Sequence, residues 1–297
     1  VSIDKTPDTM TGAADAAEDS RWAFGTGFED PLAGVDTSVP CEVDRGDLAV
    51  YCLMLGDDAL VMSHRLQQWC TNAPELEDEM AIANVGLDLL GQARLLLTRA
   101  GKADGSGRGE DDYAFFRAEP EFRNVRLVEA ERGDFGHLIA QLLVFATWRL
   151  ALLERVATSR DPVLAAIAVK GIKEVTYHRD YAARWAVRLG DGTGESHRRM
   201  QAGLGAVWPM VDELFAAHEV ERRMARAGVG VDPAELRDDF DDVLSRVLSA
   251  ATLQQPDVPP LAGVSGRTGR HGVHTEAMGY LLAEMQSVAR AEPEAGW

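Results

Sequence analysis

The chain has 297 residues, 46% of them apolar and 26% charged, the balance of a protein with a substantial core rather than of a disordered or fibrous one. Forty-eight acidic against 30 basic side chains leave a net charge of -18, which repels phosphate backbones and anionic lipid and argues against nucleic acid and membrane surfaces as partners. Cys41, Cys52 and Cys70 form no CxxC pair, no run of about eighteen apolar residues occurs, and the first thirty residues are acidic. A cytoplasmic protein without export signal or membrane span is expected.

Residues 1–44 are rich in Asp and Glu, with only Lys5 and Arg21 as basic residues and little apolar periodicity. They read as a flexible acidic extension. Trp22, Phe24 and Phe28 leave open an ordered arm laid on a neighbouring surface.

Residues 45–297 read as one helical domain. Leu48, Tyr51, Cys52, Leu55, Ala59, Met62, Leu66 and Trp69 recur at three and four residue steps, one face of a helix. Asn72-Ala-Pro-Glu75 has the form of a capping box and predicts a second helix from there to about Ala100. Gly101 to Gly109 reads as loop, and residues 111–131 as irregular or short helical connection. A third helix runs from Phe135 to Val156 with Asp134 as its cap, and Asp161-Pro162 opens a fourth that ends near Leu189. Beyond these, the pattern predicts a helix from His197 to Ala227 bent at Pro209, another from the box at Asp232 to Leu253, and a last one from Thr275. No strand alternation of useful length appears, so the fold class is all-α: a four-helix bundle with additional C-terminal helices.

A bundle of this kind can hold two metal ions when inward Glu and Glu-x-x-His side chains replace apolar ones. None of the seven histidines has a glutamate three residues before it. Polar residues nevertheless interrupt the apolar seams: Asp57 in the first helix, Asp88 in the second, and Lys170, Glu174 and His178 at four-residue steps in the fourth, with Lys173 beside them. Each has a plain alternative as an exposed or hydrogen-bonded structural residue. A lysine among such carboxylates can supply the charge of a missing metal. His271 and His274 read as a turn and helix start, and no nucleophile or phosphate-loop motif is present.

The runs LGDDALVMSHRLQQWCTNAPELEDEMAIANVGLDLLGQAR at 55–94, AAIAVKGIKEVTYHRDYAARWAVRLGDGT at 165–193 and HTEAMGYLLAEMQSVAR at 274–290 resemble the C subunits of the bacterial multicomponent phenylacetyl-CoA epoxidases. The resemblance spans about residues 47–297. It implies a ferritin-like, non-catalytic structural subunit with no cofactor of its own. Such a subunit supports a catalytic di-iron A subunit, which with further subunits including a reductase epoxidises the CoA-linked ring in phenylacetate catabolism. On this reading Asp57, Asp88, Lys170, Lys173, Glu174 and His178 surround a degenerate di-iron site, and the lone chain is prone to form homo-oligomers. The alternatives are an active di-iron oxygenase with unusual ligands and a helical binding protein unrelated to oxygen chemistry. The acidic extension has no counterpart in the pattern.

Overall fold

The computed structural model describes residues 32–294; Trp22, Phe24 and Phe28 lie outside the described residues. Four long helices form the bundle: α1 (Arg45–Gln67), α2 (Leu76–Asp104), α4 (Phe135–Val156) and α5 (Pro162–Gly190). A short helix α3 (Glu110–Phe115) and two 3-10 turns lie in the crossover between α2 and α4. The helices α6 (Gly194–Val207), α7 (Glu219–Arg226), α8 (Arg237–Ala250) and α9 (Glu276–Ala291) follow, with no strand among the described residues. This is the ferritin-like all-α architecture that the sequence predicts, two antiparallel helical hairpins joined by a long connection.

Helix starts are set by side chains that satisfy otherwise unpaired N–H groups. Asp44 accepts from the Asp47 N–H at 2.8 Å, Asp134 from His137 at 3.0 Å and Asp161 from Leu164 at 2.9 Å. The residues between decide which helix lies innermost. In α4 the apolar residues run all round rather than along a stripe, and 18 of its 22 residues are buried. α5 instead buries one seam of Ile167, Ala168, Gly171, Val175, His178, Ala182 and Ala186 and leaves the other face to solvent.

Three sequence expectations give way to local geometry. Asn72 does not cap α2: its side chain donates back to the carbonyls of Gln68 and Cys70 at 3.3 and 3.1 Å, so it closes α1, and α2 begins after Glu75 without a side-chain cap. Gly101 is helical rather than loop, because α2 continues to Asp104 and ends at Gly105 in the left-handed conformation. The bend at Pro209 is a break, with 3-10 turns at Trp208–Met210 and Asp212–Phe215 separating α6 from α7.

α6 crosses α4 backbone to backbone. A Cβ on Gly203 would lie 2.7 Å from the Gly136 carbonyl oxygen and 2.8 Å from the His137 Cα. Neither backbone can yield as a flexible side chain would, so Gly203→Ala is expected to cost about 1–3 kcal/mol, the range for overpacking, as read from a urea melt.

By length and hydropathy α2 and α4 could each cross a membrane. Burial separates them: the apolar window of α4 is 94% inside the fold, whereas that of α2 is 44%. The exposed part of α2 is the face that carries Leu76, Met80 and Leu87.

Candidate functional site

The antiparallel seam between α2 and α5 carries polar residues that run from the half-exposed Asp88 and Lys170 inward to the buried His178 and Gln92. Asp88 Oδ2 meets His178 Nε2 at 3.0 Å. One turn further along α2, the Gln92 amide donates to Glu174 Oε2 at 3.0 Å, and the other Glu174 oxygen accepts from Lys170 Nζ. The Gln92 carbonyl oxygen in turn accepts from Arg149 of α4 at 3.3 Å, while a second Arg149 nitrogen donates to the Leu55 carbonyl at 3.1 Å. Lys170, Glu174, Gln92 and Arg149 therefore form one hydrogen-bonded line from the half-buried edge of the bundle to its centre. Gln92 joins the two ends because its amide presents a donor on one side and an acceptor on the other.

Arg149 is fully buried, and burial pushes its guanidinium down to about 10, with the Asp58 charge opposing the shift. It has no direct carboxylate partner, and its Nε is unpaired. At the N-terminal end of α2, Asp78 accepts from Tyr181 Oη at 2.9 Å and from Trp185 Nε1 at 3.0 Å, so burial and the carboxylate together raise the Tyr181 hydroxyl.

Asp57 joins none of these hydrogen bonds. It takes both terminal nitrogens of Arg117, one at 2.9 Å, and the Arg123 N–H at 2.8 Å. Its neighbour Asp58 binds Arg270 at 3.0 and 2.9 Å and the Val125 N–H at 2.8 Å. Arg270 also faces Glu221 at 3.5 Å. Two adjacent buried carboxylates on α1 thus hold the crossover at 117–125 and the turn at 269–272 against the bundle. Arg126 with Glu213, and His274 with Glu129 at 2.7 Å, fasten the same segments from the other side.

The structure thus brings together Asp88, His178, Glu174 and Lys170, leaves Lys173 exposed on α5, and sets Asp57 in a different network. Arg149 is the central residue that the sequence reading passes over. It is hidden in an apolar run, LLVFATWRLALLERV, and the only signal is that its neighbours three and four residues away are apolar in both directions. A di-iron centre in this fold draws on about four Glu and two His side chains. The seam supplies Asp88, Glu174 and His178, each already engaged, with an amide and a guanidinium beside them. This donor set does not fit two metal ions, and among the described residues no three His, Cys, Asp or Glu side chains converge on a point.

The family of phenylacetic acid catabolic proteins matches residues 34–297. The C subunit of the 1,2-phenylacetyl-CoA epoxidase of Escherichia coli (strain K12) is 43% identical over 251 residues, covering 84% of this chain and 99% of that protein. With nearly the whole domain matched in both comparisons, this chain belongs to the family of phenylacetic acid catabolic proteins.

Proposed function

We propose that this chain is the C-type structural subunit of a phenylacetyl-CoA epoxidase, a metal-free bundle that supports a catalytic di-iron subunit in phenylacetate catabolism. The carrying observation is the charge balance of the seam. Glu174 is matched by Lys170 and takes a hydrogen bond from Gln92, and Asp88 is paired with His178, so each carboxylate is engaged by side chains where a metal would otherwise be required. An active di-iron reading needs Lys170 to turn away from the carboxylates, whereas it lies on Glu174.

The partner surface that fits this role is the open face of α2 and α5. Leu76, Met80, Leu87, Val169 and Tyr177 are 68, 60, 57, 51 and 48% exposed, an apolar stripe on the two helices that border the seam. A second helical bundle laid along this stripe would bury it and close the seam to water, and without that partner the stripe favours self-association. The setting is cytoplasmic, in keeping with the three cysteines being unpaired.

Co-expression with the catalytic subunit of the same complex tests the reading. The two chains are expected to copurify, and Leu87→Asp with Val169→Asp should weaken association about a hundredfold or more, since each places an unpaired charge in the interface. A chain that stays apart from the catalytic subunit at micromolar concentration contradicts it.

A further inference from the structure

Away from the bundle centre, three connecting segments bring four hydrogen-bond donors together. His218 caps α7, its Nδ1 accepting from the Val220 N–H at 3.1 Å. His271, in the turn after Thr268, uses its Nδ1 in the same way, accepting from the Thr268 N–H at 3.3 Å. The two rings are 4.6 Å apart between centroids. An imidazole whose Nδ1 accepts from an N–H carries its own proton on Nε2. Neither Nε2 is buried, and neither has a partner among the described residues. Burial and the surrounding cations push both rings down, His218 to about 4, which keeps them neutral near pH 7.

Arg123 and Arg267 flank this pair. The Arg123 guanidinium binds only the carbonyls of Pro120 and Phe122, at 2.6 and 2.8 Å, and that of Arg267 only the His271 carbonyl at 2.9 Å. Gly272 lets the turn close on the segment that carries Arg123: at φ +74° it takes the left-handed conformation, and a Cβ there would stand 2.1 Å from the Pro120 carbonyl oxygen and 2.8 Å from the Arg123 guanidinium. The nearby acids are already engaged or turned to solvent. Glu213 is held by Arg126, Asp57 by Arg117 and Asp58 by Arg270; Glu121, whose charge also reaches Arg123, is exposed and accepts from the Ala118 N–H at 2.7 Å, and the Glu219 side chain is 74% exposed and reaches Arg223 at 3.6 Å. In a chain with net charge -18, two guanidinium groups without a carboxylate partner stand here beside two outward N–H donors.

We propose that His218, His271, Arg123 and Arg267 form an anion site that takes a phosphate group. A metal ion is disfavoured by the same tautomers, because Nδ1 is occupied by a backbone N–H and Nε2 has a proton in place of a lone pair. A phosphate offers several acceptor oxygens, enough to serve two imidazole N–H groups and two guanidinium groups at once. Two sources share this chemistry: free phosphate, and the phosphate groups of a CoA thioester, the latter resting on the function proposed above.

The test titrates the full-length, nitrogen-15-labelled chain with inorganic phosphate and, separately, with CoA, following the imidazole signals. His218 and His271 are expected to shift with either anion while the remaining histidines stay in place. Arg123→Gln with Arg267→Gln should weaken the effect at least about tenfold, the weight of one to two charge-assisted hydrogen bonds. Arg267→Gln alone, at an exposed residue, should weaken it with an unchanged melting curve. Tighter binding of CoA identifies the thioester as the source, and equal binding identifies free phosphate; both support the site. Shifts absent for both anions at millimolar concentration, or undiminished in the double variant, overturn it. Association with the catalytic subunit is a separate readout, so a chain that assembles yet ignores phosphate overturns the anion site alone.

Discussion

Arg270→Ala is expected to lower stability by about 3–5 kcal/mol, because it strips the partner from a carboxylate that is fully buried. Asp58 would keep only the Val125 N–H, and Glu221 would lose the cation that opposes its burial. The turn at 269–272 would also lose the Arg270 hydrogen bonds to the Met54 and Arg123 carbonyls, at 3.1 and 2.8 Å, which tie it to α1 and the crossover. A midpoint about 10 °C lower follows for a domain of this size. The double variant Arg270→Met with Asp58→Leu should recover most of the loss, since apolar residues of similar volume avoid the desolvation of both charges. Thermal and urea melts of the three proteins decide the matter. Equal losses in the single and double variants would show that the backbone contacts of Arg270, rather than its ion pair, hold the C-terminal segment.

Arg149→Met is the second large effect, with an expected loss of about 2–4 kcal/mol and a distinct pH dependence. The Asp58, Glu221 and Arg270 group contains two acids and one base, and the Arg149 charge is coupled to it through Asp58. Removing Arg149 therefore leaves a buried group with an unmatched negative charge. Burial already raises Glu221 above the ordinary carboxylate range, with Arg270 opposing the shift and Asp58 adding to it, and without Arg149 to answer Asp58 the group as a whole takes up a proton more readily. A carboxyl whose folded pKa lies above its unfolded value binds protons preferentially in the folded state. Its favourable contribution is present below the unfolded pKa and is lost as the pH rises through the folded pKa. The stability gap between Arg149→Met and the parent should thus be smaller near pH 5 than near pH 8, and Glu221→Gln added to Arg149→Met should narrow it at high pH. A gap independent of pH would mean that Arg149 acts through packing and the Leu55 carbonyl alone.

The sequence pattern carries the helices because each depends on local signals. Asp134 and Asp161 cap, Pro162 starts α5, and the apolar spacing of α4 and α5 tells which is enclosed and which keeps an open face. It fails where a local signal has two uses. Asn72 is a good cap in either direction and closes α1 rather than opening α2. Gly101 resembles a loop residue until the Arg108 carbonyl is seen 2.0 Å from where its Cβ would stand.

The site divides along the same line. Lys170, Glu174 and His178 share one face of α5, and Asp88 sits opposite on α2, so four-residue spacing is enough to group them. Asp57 reads alike in spacing, yet its partner Arg117 is 60 residues away, beyond anything periodicity reports. Arg149 is the sharper omission. A single charge inside an apolar helix is costly to bury, and that cost points to a buried counterpart even where the sequence cannot say which residue supplies it.

The central claim, that side-chain cations rather than iron balance the carboxylates of this bundle, is tested most directly by elemental analysis. The chain would be expressed alone in iron-supplemented medium, purified without chelators, and its iron and zinc measured per polypeptide. With Lys170 in place on Glu174 the expected content is near zero; about two irons per chain, the complement of an intact centre in this fold, would contradict the account.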